Sequence, residues 1–168
     1  MEKFYSFHGA CKVREELRKA GKRVVLTNGC FDLLHPGHMH MLRRGAKWGD
    51  SLWVALNSDS SVRSLKGPLR PIIDEKMRAY ALESLQCVSG IFIFDESNVT
   101  AQITQFRPDV YVRAADRTLQ DLDSRELRAL REVGAHIEFL PFLSDFSTTK
   151  IVSSIVANYC GNHGKNGD

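Results

Sequence analysis

The chain has 168 residues, of which 43% are hydrophobic and 26% charged, with a formal net charge of +3. These values are typical of one globular domain and exclude a disordered or fibrous chain, and no segment approaches the roughly 18 apolar residues of a membrane-spanning helix. The positive charge is spread out without a basic run, and the N-terminus lacks a signal-type apolar stretch. We therefore expect a cytoplasmic protein with no nucleic-acid and no membrane partner.

Short apolar runs alternate with longer amphipathic stretches along the chain. The apolar runs predict buried strands at 24–27, 51–56, 88–94, 109–112 and 136–140. The stretches between them predict helices at 11–20, 37–48, 74–85, 98–106, 123–133 and 147–159. Continuous apolar strands are typical of a parallel sheet covered on both faces. We therefore predict an α/β fold, a doubly wound, Rossmann-like sheet of about five parallel strands with helices on both faces.

The helices carry recognisable start signals. We expect Asp59, Asp74, Asn98 and Asp123 to be N-caps, with Glu126 completing a capping box at the last of these. Residues 1–160 are expected to form a single domain, followed by a flexible, polar and Gly-rich tail at 161–168. The cysteines are too widely and irregularly spaced for a disulfide framework or a structural zinc site; they are Cys11, Cys30, Cys87 and Cys160.

Ligands of such sheets bind beyond the carboxyl ends of the strands, which directs attention to the loop after the first strand. That loop contains two histidines, His35 and His38, around a Pro-Gly pair that leads into a helix. Helix-start amides favour an anion, and imidazoles of near-neutral pKa can donate hydrogen bonds to phosphate oxygens. Taken alone, an H-x-x-H pattern also fits a metal site or a simple helix cap.

Residues 29–38, GCFDLLHPGH, resemble the signature of the cytidylyltransferase-like nucleotidyltransferases, whose hallmark is H-x-G-H. More narrowly, the stretch from about 22 to 156 resembles the adenylyltransferase domain that acts on D-glycero-β-D-manno-heptose 1-phosphate to make ADP-heptose for lipopolysaccharide. The resemblance implies that His35 and His38 are catalytic and contact the α- and β-phosphates. It also implies a nucleotide site formed by Asn28, Gly29, Cys30, Phe31, Asp32 and Gly37.

The loop after the second strand holds basic residues on a constrained backbone. Lys66 and Arg70 flank a Gly-Pro pair, and cations held in this way suit phosphate, although two solvated basic residues would look the same. The segment resembles the N-S-D…L-K-G-x-x-R-P stretch of the heptose-phosphate family. The resemblance implies that Lys66 is catalytic, and that Asp59, Lys66, Arg70 and Arg78 face the phosphorylated substrate. Without it, Arg78 would be read as a surface ion pair with Asp74 or Glu75.

The last helix begins with three consecutive hydroxyls, Ser147, Thr148 and Thr149, followed by Lys150. Hydroxyls and free amides at the positive end of a helix favour an anion. The segment resembles the S-T-T-x-[IV] signature of the same superfamily, which implies contacts with the β- and γ-phosphates. The Gly-Ile that usually precedes it is Asp145-Phe146 here.

The chain departs from the family after the fourth strand. The usual Lys-Gly-Gly-Asp is Arg113-Ala114-Ala115-Asp116, in which Arg113 and Asp116 are expected to bind the nucleotide. Replacing both glycines by alanine adds two Cβ atoms near the expected position of the base, so the sequence leaves open whether the nucleotide is ATP or CTP. The family's sugar kinase domain has no counterpart in these residues, so we expect a stand-alone transferase.

The expected reaction is in-line attack of a substrate phosphate on the α-phosphorus of a nucleoside triphosphate, with release of pyrophosphate. Mg²⁺ is expected with the triphosphate, and Asp32 either orients the loop or contacts the ion through water. The resemblance also implies a homodimer. Two alternatives remain, namely a cytidylyltransferase acting on glycerol 3-phosphate or a related polyol phosphate, and a non-catalytic nucleotide-binding protein of the same fold.

Overall fold

A computed structural model describes residues 3–114, 122–141 and 146–160, without the side chain of Cys160. The strands are β1 Val24–Gly29, β2 Ser51–Asn57, β3 Gly90–Phe94, β4 Val110–Ala114 and β5 His136–Leu140. The helices are α1 Phe7–Lys19, α2 Pro36–Gly45, α3 Asp59–Lys66, α4 Glu75–Glu83, α5 Thr100–Phe106, α6 Ser124–Val133 and α7 Thr148–Cys160, with a short 3₁₀ turn at Ala46–Trp48.

The strands form one parallel sheet in the order β3-β2-β1-β4-β5. Strand β1 lies in the centre, with Val25 opposite Leu52 on one side and Val110 on the other. The order reverses at β1, so the loops after β1 and β4 diverge there and leave a crevice at the carboxyl edge. The predicted fold class and the predicted strands are confirmed.

Two apolar clusters pack on opposite faces of the sheet, because successive side chains of a strand point to opposite sides. Val25 lies in the cluster beneath α2 and α4, whereas Val24 and Leu26 lie in the cluster beneath α1, α5 and α6. None of the helices in the described ranges is both long and apolar enough to cross a bilayer. Cys11, Cys30 and Cys87 are free thiols.

Several predicted helix starts are wrong in detail. Helix α1 begins four residues before the predicted position 11, because Ser6 caps it by accepting from the Gly9 amide. Ser58, not Asp59, is the N-cap of α3. Val99, not Asn98, occupies the cap position of α5, although the Asn98 side chain accepts from the Thr100 amide.

The predicted capping box at α6 is also wrong. Asp123 is the N-cap, as expected, and accepts from the Arg125 amide. Glu126 does not reach back to it, because its carboxylate is buried and accepts from the Val99 amide instead, 3.2 Å away. This bond ties the start of α6 to the start of α5.

Candidate active site

A cavity of about 510 Å³ opens at the carboxyl edge of the sheet. It brings together nine of the predicted site residues, which come from four separate segments of the chain. They are Asn28, Gly29, Cys30, Phe31, Asp32, His38, Lys66, Arg113 and Thr148. Seven other predicted residues are described but do not line it, namely His35, Gly37, Asp59, Arg70, Arg78, Ser147 and Thr149. Asp116 lies outside the described residues, as do Ala115 and Asp145.

The two signature histidines stack on each other at the start of α2. Their ring centroids are 3.8 Å apart and their planes are inclined by 23°. His35 occupies the cap position and Pro36 the first helical turn, where its missing N–H costs nothing. His35 is buried behind His38, and only His38 reaches the cavity. His35 therefore packs behind His38 and does not line the cavity.

Gly37 makes this stacking possible. A Cβ atom at Gly37 would lie 3.0 Å from both Cε1 and Nδ1 of His35. The glycine therefore gives room to the histidine ring, whereas the resemblance implied that it forms part of the nucleotide site. The third ring of the group is Phe31, whose centroid lies 5.0 Å from that of His38. Phe31 has a φ of +44°, an uncommon backbone conformation for a bulky residue.

Burial changes the electrostatics of this pair. Burial, followed by the proximity of His35 and Lys66, lowers the pKa of His38 to about 4. Burial also lowers the pKa of His35. The Nδ1 atoms of both rings are buried without a hydrogen-bond partner among the described residues. The expectation of near-neutral pKa values is therefore corrected: in the ligand-free protein His38 is uncharged at neutral pH.

Asp32 organises the loop that follows α3. Its carboxylate is buried and lies 2.6 Å from a guanidinium nitrogen of Arg70. It also accepts from the backbone amides of Ile72 and Ile73. Of the two roles expected for Asp32, the structure supports loop orientation. Arg70 is turned toward this carboxylate and does not line the cavity.

Arg78 has no exposed side-chain surface. Its guanidinium donates to the backbone carbonyls of Cys30, Asn57 and Ile73, and to the carboxylate of Asp59 at 2.8 Å. These bonds join the loop after β1, the end of β2 and the start of α4. Both sequence-based interpretations of Arg78, a substrate contact and a surface ion pair, are therefore corrected: it is an internal cation that positions the loops. Asp59 is correspondingly engaged by Arg78.

Asn28 and Arg113 close the crevice between β1 and β4. The side-chain oxygen of Asn28 accepts from Arg113 and from the hydroxyl of Tyr111, each at 2.6 Å. Burial raises the pKa of Tyr111 well above its ordinary value, so the hydroxyl keeps its proton. Arg113 is thereby held at the cavity wall.

The start of α7 faces the same cavity through Thr148. The Ser147 hydroxyl accepts from the Lys150 amide and so serves as a helix cap, while Thr149 is exposed. On the other side, Lys66 lies exposed at the end of α3. The cavity is thus lined by the hydroxyl of Thr148 and the cation of Lys66, which are far apart in sequence.

Sequence reasoning missed a polar wall of the cavity formed by Ser97, Asn98, Asp123 and Glu126. Three of these residues were interpreted only as helix-capping groups. A usable signal was present, because the loop after β3 also ends at the carboxyl edge of the sheet. This loop lies close to α6 because α5 packs against α6, and that packing cannot be predicted from a local sequence pattern.

The described residues contain no group of three or more His, Cys, Asp or Glu side chains that could hold a metal ion. The Asp32 oxygens are already used by Arg70 and by two backbone amides. A protein-held divalent cation therefore does not fit Asp32.

Curated relatives that share about 40% identity cover most of this chain. The chain is 41% identical over 147 residues to the Bifunctional protein HldE of Syntrophotalea carbinolica, covering 88% of this chain and 30% of that protein. It is 38% identical over 157 residues to the protein of the same name from Geobacter metallireducens, covering 94% and 32%. The chain thus spans about a third of the length of these curated relatives.

A solved structure, the lipopolysaccharide core biosynthesis protein from Thermoplasma volcanium, superposes with a TM-score of 0.60 at 28% identity. The match covers 73% of this chain and 97% of that one. Residues 26–157 match the cytidylyltransferase-like family, and this stretch contains the whole sheet except the first residues of β1. The chain therefore belongs to the cytidylyltransferase-like family and is a nucleotidyltransferase.

Proposed function

We propose that the chain transfers AMP from ATP to D-glycero-β-D-manno-heptose 1-phosphate, releasing pyrophosphate and giving ADP-heptose. One observation carries the proposal: a single cavity collects His38, Lys66, Arg113 and Thr148 from four segments at the carboxyl edge of the sheet. Its volume of about 510 Å³ is within the usual range for a small-molecule site. The relatives named HldE and the lipopolysaccharide biosynthesis neighbour support the heptose substrate.

In the proposed reaction, an oxygen of the sugar phosphate attacks the α-phosphorus of ATP. A new phosphorus–oxygen bond forms as the bond to the β-phosphate breaks, and pyrophosphate leaves with the electron pair. The chain's contribution is positioning and charge stabilisation. His38 would donate to the α- and β-phosphates with His35 stacked behind it. Lys66 would bridge the attacking phosphate and the α-phosphate, and Thr148 would contact the β- or γ-phosphate.

His38 is neutral in the free protein, so it would act first as a hydrogen-bond donor. A triphosphate beside the ring would raise its pKa, because opposite charge favours the protonated form. Mg²⁺ would bind as a complex with the triphosphate oxygens, because the Asp32 carboxylate is already hydrogen-bonded within the protein.

The second candidate is transfer of CMP from CTP to glycerol 3-phosphate or a related polyol phosphate. The match to a cytidylyltransferase-like family supports it, and the replacement of glycine by Ala114 in the cavity wall leaves the choice of nucleotide open.

The deciding experiment measures pyrophosphate release with Mg²⁺, crossing ATP and CTP against heptose 1-phosphate and glycerol 3-phosphate. Release with ATP and heptose 1-phosphate alone supports the first candidate, and release with CTP and glycerol 3-phosphate supports the second. No release in any combination, from folded protein, would overturn both.

A further inference from the structure

The polar wall of the cavity lies on the other side of the sheet from the signature histidines. Glu126 belongs to α6, which packs with α5 on one face of the sheet, whereas His38 belongs to α2 on the opposite face. Both residues line the cavity, so the cavity extends across the carboxyl edge from one face to the other. Its two halves therefore present different chemical groups to a ligand.

Glu126 is the most deeply buried residue of this wall, with only 6% of its surface exposed. One carboxylate oxygen, Oε1, accepts from the Val99 amide at 3.2 Å. The other, Oε2, has no hydrogen-bond partner among the described residues but retains accessible surface, and it therefore faces the cavity. Because a carboxylate that loses its hydration normally gains a donor, this oxygen is available to a donor on a ligand.

Asn98 supplies a donor beside this acceptor. It directly precedes Val99, whose amide holds Glu126, and this bond places the two side chains together in the wall. The side-chain oxygen of Asn98 accepts from the Thr100 amide at 3.1 Å, which leaves its Nδ2 group without a partner in the described part of the chain. An acceptor next to a donor matches a sugar hydroxyl, because a hydroxyl group both donates and accepts.

The composition of the wall does not suit the other parts of a nucleotide or a sugar phosphate. A phosphate group would be repelled by the Glu126 carboxylate, and the cation suited to phosphate, Lys66, lies near His38 instead. A planar base is normally held by apolar or aromatic side chains. In the described lining of the cavity the only phenyl ring is that of Phe31, which packs on His38. The hydroxyl-bearing part of a substrate therefore fits this wall best.

We propose that Glu126 and Asn98 form a subsite for sugar hydroxyl groups, in which Glu126 accepts from one hydroxyl and Asn98 donates to the same or the adjacent one. Two components of the proposed reaction carry such groups, namely the ribose of the nucleotide and the polyol of the phosphorylated acceptor. The inference rests on the proposed function for the presence of these substrates. It assigns specificity to two residues that lie outside the phosphate-binding motifs.

The test uses Glu126→Gln, whose amide oxygen can still accept from Val99 while an NH₂ group replaces the oxygen that faces the cavity. Titration calorimetry should show a dissociation constant about ten- to a hundredfold higher for the substrate whose hydroxyls occupy the subsite, the usual loss for a hydrogen bond to a charged group. A carboxylate that acted only through its charge would give the opposite sign, because its removal favours anionic ligands. Glu132→Gln removes the same charge from an exposed position of α6 and is the matched control.

The second variant is Asn98→Ser, at a partly exposed position before α5. The serine hydroxyl can still accept from the Thr100 amide, but the donor to the cavity is lost. This variant should weaken binding of the same substrate by about two- to tenfold, the usual loss for a hydrogen bond between neutral groups. It does not depend on a buried substitution, and chemical denaturation of each variant shows that the protein remains folded.

The ligands are MgATP, MgCTP, their 2′,3′-dideoxy forms, heptose 1-phosphate and glycerol 3-phosphate. If ribose occupies the subsite, both variants weaken binding of a ribonucleotide and not of its dideoxy form. If the acceptor occupies it, they weaken binding of the acceptor and not of the nucleotides.

Unchanged or tighter binding of every ligand would overturn the subsite. Equal weakening of a ribonucleotide and its dideoxy form would also overturn it, because the base would then be the group in contact. These outcomes are separate from the proposed reaction, since a wild type that binds MgATP but releases no pyrophosphate contradicts the reaction alone. A wild type that binds none of these ligands would overturn both proposals.

Discussion

The rings of His35 and His38 stack 3.8 Å apart, with one ring buried and the other facing the cavity. Two residues that look equivalent in the signature therefore lie in different environments. His38 lines the cavity, whereas His35 packs behind it and contributes to lowering its pKa.

Replacement of His38 by alanine should lower kcat about 10²–10³-fold while the protein remains folded, the usual loss for one donor to a transition-state charge. Pyrophosphate release and circular dichroism measure the two effects. His40→Ala, on the same helix but away from the cavity lining, is the control and should retain activity. Near-normal turnover by folded His38→Ala would contradict the assigned role of His38.

The free energy of unfolding should decrease as the pH is lowered through the titration of His38. Its folded-state pKa of about 4 lies below the ordinary value of 6.5. Between these values the unfolded chain binds a proton that the folded chain does not, so stability is fully present above about pH 6.5 and is lost toward about pH 4, by up to about 3 kcal/mol.

This prediction is tested by urea unfolding at neutral and acidic pH for the wild type and for His38→Asn, which cannot titrate. The loss of stability on acidification should be smaller in the variant. Equal losses in both proteins would show that His38 does not have the lowered pKa.

Substitution of Gly37 by alanine should lower kcat while changing the free energy of unfolding little. The new methyl group would press on the His35 ring and shift the stacked pair, which should reduce kcat at least about tenfold because small misplacements at a reacting centre are costly. The stability change should stay within about 1 kcal/mol, since alanine is the better helix former. Gly9→Ala in α1 is the control, and unchanged kcat in Gly37→Ala would contradict this account of the glycine.

Removal of the Arg78 side chain should destabilise the protein strongly. Arg78→Ala leaves Asp59 without its cation and three carbonyls without their donor, at a cost of about 3–5 kcal/mol. Arg78→Lys should recover only part of the loss, because one ammonium cannot reproduce the planar set of donors. Lys76→Ala, exposed on the same helix, should cost less than about 0.5 kcal/mol. Chemical denaturation measures all three, and a small effect of Arg78→Ala would show that the loops do not depend on it.

The local sequence pattern was sufficient to predict the strands and helices and to locate the motifs of the candidate site. Buried strands such as β2 are continuous apolar runs, and β-sheet topology places the loops that follow them at one edge. The resemblance of their motifs to the nucleotidyltransferase signatures then assigned His38, Lys66 and Thr148 to one site. The helix starts were less accurate, because Ser58 and Asp59 are both good caps by sequence. In the structure Ser58 accepts from the Ser61 amide, whereas Asp59 pairs with Arg78.

Tertiary structure alone decided what each polar side chain does at the site. Arg70 and Arg78 have the chemistry of phosphate ligands, yet both turn inward, since Asp32 and Asp59 and several backbone carbonyls lie within hydrogen-bond distance there. The wall formed by Asn98, Asp123 and Glu126 exists because α5 packs against α6. The low pKa of His38 likewise reflects burial and the proximity of His35 and Lys66. Sequence determines which residue types are available near the sheet edge, whereas burial and contacts between distant segments determine which of them remain free for a ligand.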